Sequence, residues 1–173
     1  RTMDNKRISS NHNDRLEKIN VNIQRDVKAG SLVIAKTIAD LIRKKQAEGQ
    51  SCVLGLATGS SPKTLYAELV RMHKEEGLSF SNVISFNLDE YYPMNPDGLQ
   101  SYHRFMRENF FDHVNIPREN IHIPRGDVPR TQVDEHCLAY EQAIRDAGGI
   151  DLMLLGIGRS AHIGFLPMWP RSA

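Results

Sequence analysis

Apolar residues recur along this chain in two alternating rhythms. Ile34, Ile38, Leu41 and Ile42 fall at the i, i+4, i+7, i+8 spacing of one helix face. The basic stretch Arg43-Lys44-Lys45, just ahead of Gly49, suits a helix C-terminus. A short apolar run over 52–57 then reads as a buried strand, and Leu65, Leu69 and Met72 form a second helical stripe stopped by Gly77. The pattern goes on with a strand over 83–88 and a Pro-, Asn- and Gly-rich loop over 93–98. A helix is predicted over 101–111, with Tyr102, Phe105 and Met106 on one side, and a minor strand over 121–123. A helix over 131–147, closed by Gly148-Gly149, leads to a third strong strand over 151–155. Strands alternating with helices of this length make right-handed βαβ units and a mostly parallel sheet. The expected fold is α/β, doubly wound and Rossmann-like, with helices on both faces. Residues 1–22 are polar with few apolar anchors and read as a weakly ordered arm, ahead of a domain over 23–165.

Composition narrows the function classes. The 173 residues are 40% hydrophobic and 25% charged, a profile for one globular domain. At that size a core needs no staple of disulfides or metal. Lys plus Arg number 22 against 21 Asp plus Glu, with the signs mixed along the chain. A polyanion binder concentrates its positive charge, so nucleic acid is not an expected partner, and any phosphate held here is a small one gripped locally. No apolar stretch approaches the roughly 20 residues of a membrane span, and the polar N-terminus lacks the apolar run of a signal peptide. Cys52 and Cys137 make neither a disulfide framework nor a zinc spacing, and point to a reducing compartment, the cytoplasm. Asp134-Glu-His-Cys137 gathers metal-type side chains, yet consecutive helical residues point in different directions, so no metal is expected.

In open parallel sheets, ligands bind beyond the carboxyl ends of the strands. Three clusters occupy those places. Thr58-Gly59-Ser60-Ser61-Pro62 has the composition of a phosphate cradle: a glycine for close backbone approach, hydroxyls, and a proline suited to the first helical turn. A plain βα turn is the alternative. Asp89 and Glu90 directly follow the second apolar run; such a carboxylate serves as a general base if it faces the crevice and is partly desolvated, or as a loop or capping residue if it does not. Gly156-Ile-Gly158, followed by Ala161, partly matches a dinucleotide fingerprint. That fingerprint needs a further strand with an acidic residue about 20 positions on, and the chain reaches Ala173 first, so no nicotinamide cofactor is expected. His162, at the end of this Gly-rich turn, can reach a ligand in the crevice.

These clusters together resemble a known family. The stretch from Leu54 through Ala57-Thr58-Gly59-Ser60-Ser61-Pro62-Lys63 to Tyr66 is similar to the phosphate loop of glucosamine-6-phosphate deaminases. Phe86-Asn-Leu-Asp89-Glu90-Tyr91, Ser101-Tyr-His-Arg-Phe-Met106, Asn109-Phe-Phe-Asp-His-Val114 and Gly156-Ile-Gly158 with His162-Ile-Gly-Phe165 extend the likeness over about 30–165. The Asp89-Glu-Tyr91 block separates it from the 6-phosphogluconolactonases, a sister group that shares fold and phosphate loop. The resemblance implies conversion of glucosamine 6-phosphate and water to fructose 6-phosphate and ammonia, with no cofactor. It implies that Asp89 shuttles the proton between C2 and C1, that His162 assists ring opening, and that Thr58, Gly59, Ser60 and Ser61 contact the phosphate. Glu90, Gly156 and Gly158 are implied as further substrate contacts.

Two departures from the family pattern stand out. Ser160 and Pro167 occupy places where the family carries the carboxylates that orient the histidine, and the tail over 166–173 does not match the family's continuation. The fold is therefore expected to be incomplete on its C-terminal side, with an open sheet edge that favours self-association. Two further readings stay open: a non-catalytic sugar-phosphate binding module, and a lactone hydrolase on the same scaffold.

Overall fold

The computed structural model describes residues 20–158 and 162–164. Most of the expected N-terminal arm, Ser160, Ala161 and the 166–173 tail lie outside the described residues. Helix α1 (Val27–Ala47) starts at Asp26, whose Oδ1 accepts the Ala29 N–H at 2.7 Å, and ends with Lys44 and Lys45 in its last turn. It buries Ala35, Ile38, Ala39 and Ile42, whereas Ile34 is 41% exposed. The buried stripe thus sits one residue round from the expected one. Two alanines, small enough to bring α1 close to its neighbour, take the place of the larger Ile34.

Strand β1 (Cys52–Leu56) is buried along its whole length, as a central parallel strand must be. Helix α2 (Ser60–Glu76) follows, closed by Gly77 in the left-handed conformation. Strand β2 (Val83–Asn87) pairs parallel with β1 in a register that sets Cys52 opposite Val83 and Leu56 opposite Asn87. Helix α3 (Tyr102–Asn109) and strand β3 (Ile121–His122) come next, then helix α4 (Val133–Asp146) and strand β4 (Leu152–Met153). The sheet order is β3-β2-β1-β4, all parallel. On one face Cys52, Leu54, Leu56 and Val83 join α1, α2 and the stacked rings of Tyr66 and Phe110 in the main core. On the other, Phe86 stacks on His122 and meets Tyr140 of α4 edge-on. The Tyr140 hydroxyl lies 2.8 Å from the Asn87 carbonyl and 3.1 Å from that of His122, fastening α4 to the strand ends.

Three expected elements are shorter than the sequence suggested. Phe111 leaves α3 for a separate 3₁₀ turn (Phe111–His113), and the start of the α4 segment is likewise a 3₁₀ turn (Arg130–Gln132). The strong strand expected over 151–155 is a half-exposed pair, Leu152–Met153, bonded to β1 only opposite Leu54 and Gly55. Asp151 is tied to β1 twice: its own N–H donates to the Val53 carbonyl at 2.9 Å, and its carboxylate accepts the Val53 N–H at 2.9 Å and the Lys45 ammonium at 2.7 Å. Among the described residues, no helix is long and apolar enough to cross a membrane.

Gly55 permits the approach of β4. A Cβ there would stand 2.2 Å from the Met153 sulfur and 3.3 Å from its Cα. Gly55→Ala is therefore expected to cost about 1–3 kcal/mol, as overpacking does. Urea denaturation measures it; an alanine variant as stable as the wild type contradicts this account of how β4 is seated.

Candidate active site

Because Leu56 pairs with Asn87, β1 and β2 end at the same level, and the segments that follow them emerge side by side. The Leu88 N–H extends the pairing by one step, donating to the Leu56 carbonyl at 3.0 Å. The exit from β4 completes a rim around a cavity of about 300 Å³. Thr58, Gly59, Ser60, Ser61, Asp89, Gly156, Gly158 and His162 all line it. Of the residues singled out in the sequence, Glu90 is absent from that lining.

The first wall is the β1–α2 connection. Tyr66, buried in α2, donates its hydroxyl to the Ala57 carbonyl at 2.5 Å and so anchors the loop from behind. Gly59 takes φ of +119°, which a side chain disfavours, and occupies the N-cap position of α2 with no side-chain acceptor. A helix start left without a capping carboxylate presents N–H groups and a partial positive charge, a setting suited to an anion.

The second wall carries Asp89 and separates it from its neighbour. Glu90 turns away from the cavity, its side chain only 2% exposed, toward the start of α3. Its carboxylate accepts from the Ser101 hydroxyl (3.0 Å), the Tyr102 N–H (2.9 Å), the His103 N–H (3.2 Å) and the Tyr91 N–H (2.9 Å), and lies 3.1 Å from His103 Nδ1. Burial pushes its pKa upward, but the donors from Tyr102, His103 and Tyr91 outweigh it and hold the carboxyl below its ordinary value. Glu90 thus stands apart from the residues that line the cavity. Glu90 has spent its acceptors on a helix N-terminus, where a negative charge is favoured.

The clamp on α3 delivers Tyr102, a cavity residue that the sequence pattern had assigned to an apolar helix side. Its ring lies 5.0 Å from that of Tyr91, tilted by 48°. Tyr102 shares the cavity lining with Thr58 and Asp89. Burial above all holds this phenol well above its ordinary pKa, so it is neutral at physiological pH. The one signal for it was Ser101, which caps α3 through its own hydroxyl and so marks Tyr102 as the first residue of that helix.

The third wall is formed by Gly156, Ile157, Gly158, His162 and Gly164, which follow β4. The Gly158 N–H donates to the His162 carbonyl at 2.9 Å. The imidazole lies directly over Gly158: a Cβ there would come within 2.1–2.7 Å of Cε1, Nε2 and Nδ1. A Cβ on Gly164 would stand 4.0 Å from Oδ2 of Asp89. Imidazole turn and carboxylate therefore meet at one edge of the cavity. An uncapped helix start, hydroxyls, a carboxylate and an imidazole around one small cavity can hold a phosphorylated molecule and move protons on it.

Residues 25–166 match the family of glucosamine-6-phosphate isomerases and 6-phosphogluconolactonases. The chain belongs to this family. Within it, a glucosamine-6-phosphate deaminase of Thermoanaerobacter sp. (strain X514) is 51% identical over 132 residues, covering 76% of this chain and 51% of that relative. One of Clostridioides difficile (strain 630) is 46% identical over 132 residues, covering 76% and 52%. A solved monomeric glucosamine-6-phosphate deaminase aligns with a TM-score of 0.76 at 39% identity, over 82% of this chain and 56% of the other. The 6-phosphogluconolactonase of Thermotoga maritima gives a TM-score of 0.66 at 26% identity, over 79% and 59%. The chain thus spans about half the length of these family members.

The Glu90 clamp has a pH signature. Its folded pKa lies below the unfolded value of about 4.3. The stabilisation is therefore complete above the unfolded value and is lost as the pH falls through the folded one. Glu90→Gln is expected to be about 1–3 kcal/mol less stable than the wild type at pH 7. Urea denaturation between pH 7 and pH 3 should show that gap closing at the acid end; a gap independent of pH contradicts the clamp.

Proposed function

We propose that this site binds a hexosamine phosphate and serves the isomerising deamination of glucosamine 6-phosphate. The gathering of Gly59, Asp89 and His162 about one cavity carries this reading. The roughly 50% identity to glucosamine-6-phosphate deaminases, with the Asp89-Glu-Tyr91 block, favours that reaction over lactone hydrolysis. The phosphate rests on Thr58, Gly59, Ser60, Ser61 and the start of α2, while the backbone at Gly156 and Gly158 flanks the sugar. His162 assists opening of the pyranose ring. Asp89 removes the C2 proton of the open-chain aldehyde, giving an enolamine, and returns a proton to C1. The resulting C2 imine takes up water and releases ammonia, leaving fructose 6-phosphate. None of these steps calls for a cofactor. The free thiols Cys52 and Cys137 support a reducing compartment, the cytoplasm. Exposed Ile34 and Leu155, which line one cavity beside the exit of β4, support self-association on that side.

A binding module without turnover is the second reading, favoured by one feature of the sequence. Ser160 and Pro167 supply no carboxylate to orient His162. In comparable triads, replacing the orienting acid by its amide costs about 10⁴ in rate. Ring opening is therefore expected to be slow in this chain.

Ammonia release from glucosamine 6-phosphate, compared between the wild type and Asp89→Asn, tests the proposal. A positioned acid–base group contributes roughly 10²–10⁴ in rate, and a loss of that size is expected on substitution. No ammonia from either protein, with fructose 6-phosphate still bound, selects the binding module. Lactonase activity indifferent to Asp89→Asn overturns the deaminase reading.

A further inference from the structure

Resting on the role of His162 proposed above, we propose that Gly158 is a positioning residue: the place its side chain would fill is the seat of the His162 imidazole. The two glycines of Gly156-Ile-Gly158 differ in their surroundings. A Cβ on Gly156 would meet nothing within 4 Å. A Cβ on Gly158 would stand under 3.0 Å from Cε1, Nε2 and Nδ1 of His162, closer than such atoms approach in proteins. Gly158 lies outside the left-handed region, so its backbone conformation does not call for a glycine. The close approach of the imidazole does. In a dinucleotide fingerprint the second glycine lets a pyrophosphate reach the backbone; here the space is taken by a ring of the chain itself.

The main chain that carries the imidazole is held on both sides. The Gly158 N–H donates to the His162 carbonyl at 2.9 Å. Beyond the histidine, Gly164 takes φ of +66° and lies against the second strand's exit, where a Cβ would stand 3.0 Å from Cδ2 of Leu88. The backbone of His162 therefore has little room to retreat, and crowding at position 158 falls on the ring. His162 and Asp89 both line the cavity, so the seat fixes where the imidazole stands relative to that carboxylate. It orients the ring by contact, whatever the ring nitrogens bond to. Gly158 thus acts on the chemistry through His162.

The test compares the wild type with Gly158→Ala, His162→Ala and the double variant. The NMR signals of the His162 ring, assigned by their loss in His162→Ala, should move in Gly158→Ala. Ammonia release from glucosamine 6-phosphate should fall about 10²-fold on Gly158→Ala in the wild type, the scale of a reacting group misplaced by about 1 Å. In the His162→Ala background the same change should cost about twofold or less, because the seat has lost its occupant. Melting gives this cycle without substrate. Alanine in place of glycine stabilises through the unfolded chain wherever the native backbone suits it. Gly158→Ala should therefore raise the melting temperature of His162→Ala and lower that of the wild type. Unmoved ring signals, or equal effects of Gly158→Ala in the two backgrounds, overturn the proposal. Should the wild type release no ammonia, the deaminase reading fails, and the ring signals and the melting cycle decide the role of Gly158.

Discussion

The in-register parallel pairing of Cys52–Leu56 with Val83–Asn87 is the constraint from which the rest of the molecule follows. Side chains alternate along a strand, so a slip of one residue would turn Leu54 and Leu56 out of the main core and bring Val53 and Gly55 in. Both strands are buried almost throughout, so a slipped register would forfeit much of the apolar burial, and it is strongly disfavoured. The same register ends both strands together. Thr58 and Asp89, thirty-one positions apart in the chain, are thereby delivered to one cavity. Tertiary packing of the strands sets the chemistry of the loops before any loop residue is considered.

The two helix starts beside this cavity are treated in opposite ways. At α3 the chain spends a carboxylate of its own, Glu90, on the free N–H groups and closes the site to other anions. At α2 the N-cap is Gly59, which brings no acceptor, and the partial positive charge is left for a ligand. Asp89 and Glu90 illustrate the same division over a single peptide bond. One faces the cavity, and the other faces a helix end whose donors hold it ionised. The proposed general base and the carboxylate that holds the head of α3 are thus neighbours in the chain with different surroundings.

Much of this was legible in the sequence, for reasons that also mark where reading failed. The alternation of strand and helix shows plainly because the central strands are apolar without interruption and α2 and α4 end at glycines. Parallel topology then tells which loops must meet. The choice between Asp89 and Glu90 was not legible, because it depends on Ser101, Tyr102 and His103, which reach Glu90 only through the fold. Tyr102 was hidden for a related reason: an aromatic residue at helical spacing looks like core until the fold sets it on the cavity. The shortness of β4 was not legible, since an apolar run such as 151–155 does not reveal that its pairing with β1 reaches only Leu152 and Met153. Ile34 stands outside the buried stripe because packing on α1 takes the small Ala35 and Ala39 inside instead, a choice of fit that apolar size does not show.

The central claim is that segments following three different strands make one site for one small phosphorylated sugar. Two-dimensional NMR of the isotope-labelled protein, titrated with fructose 6-phosphate, tests it most directly. The account predicts that the amide signals of Gly59, Asp89 and Gly158 shift together and saturate along one binding curve. Shifts confined to one of these segments, or curves with different midpoints for each, would contradict it.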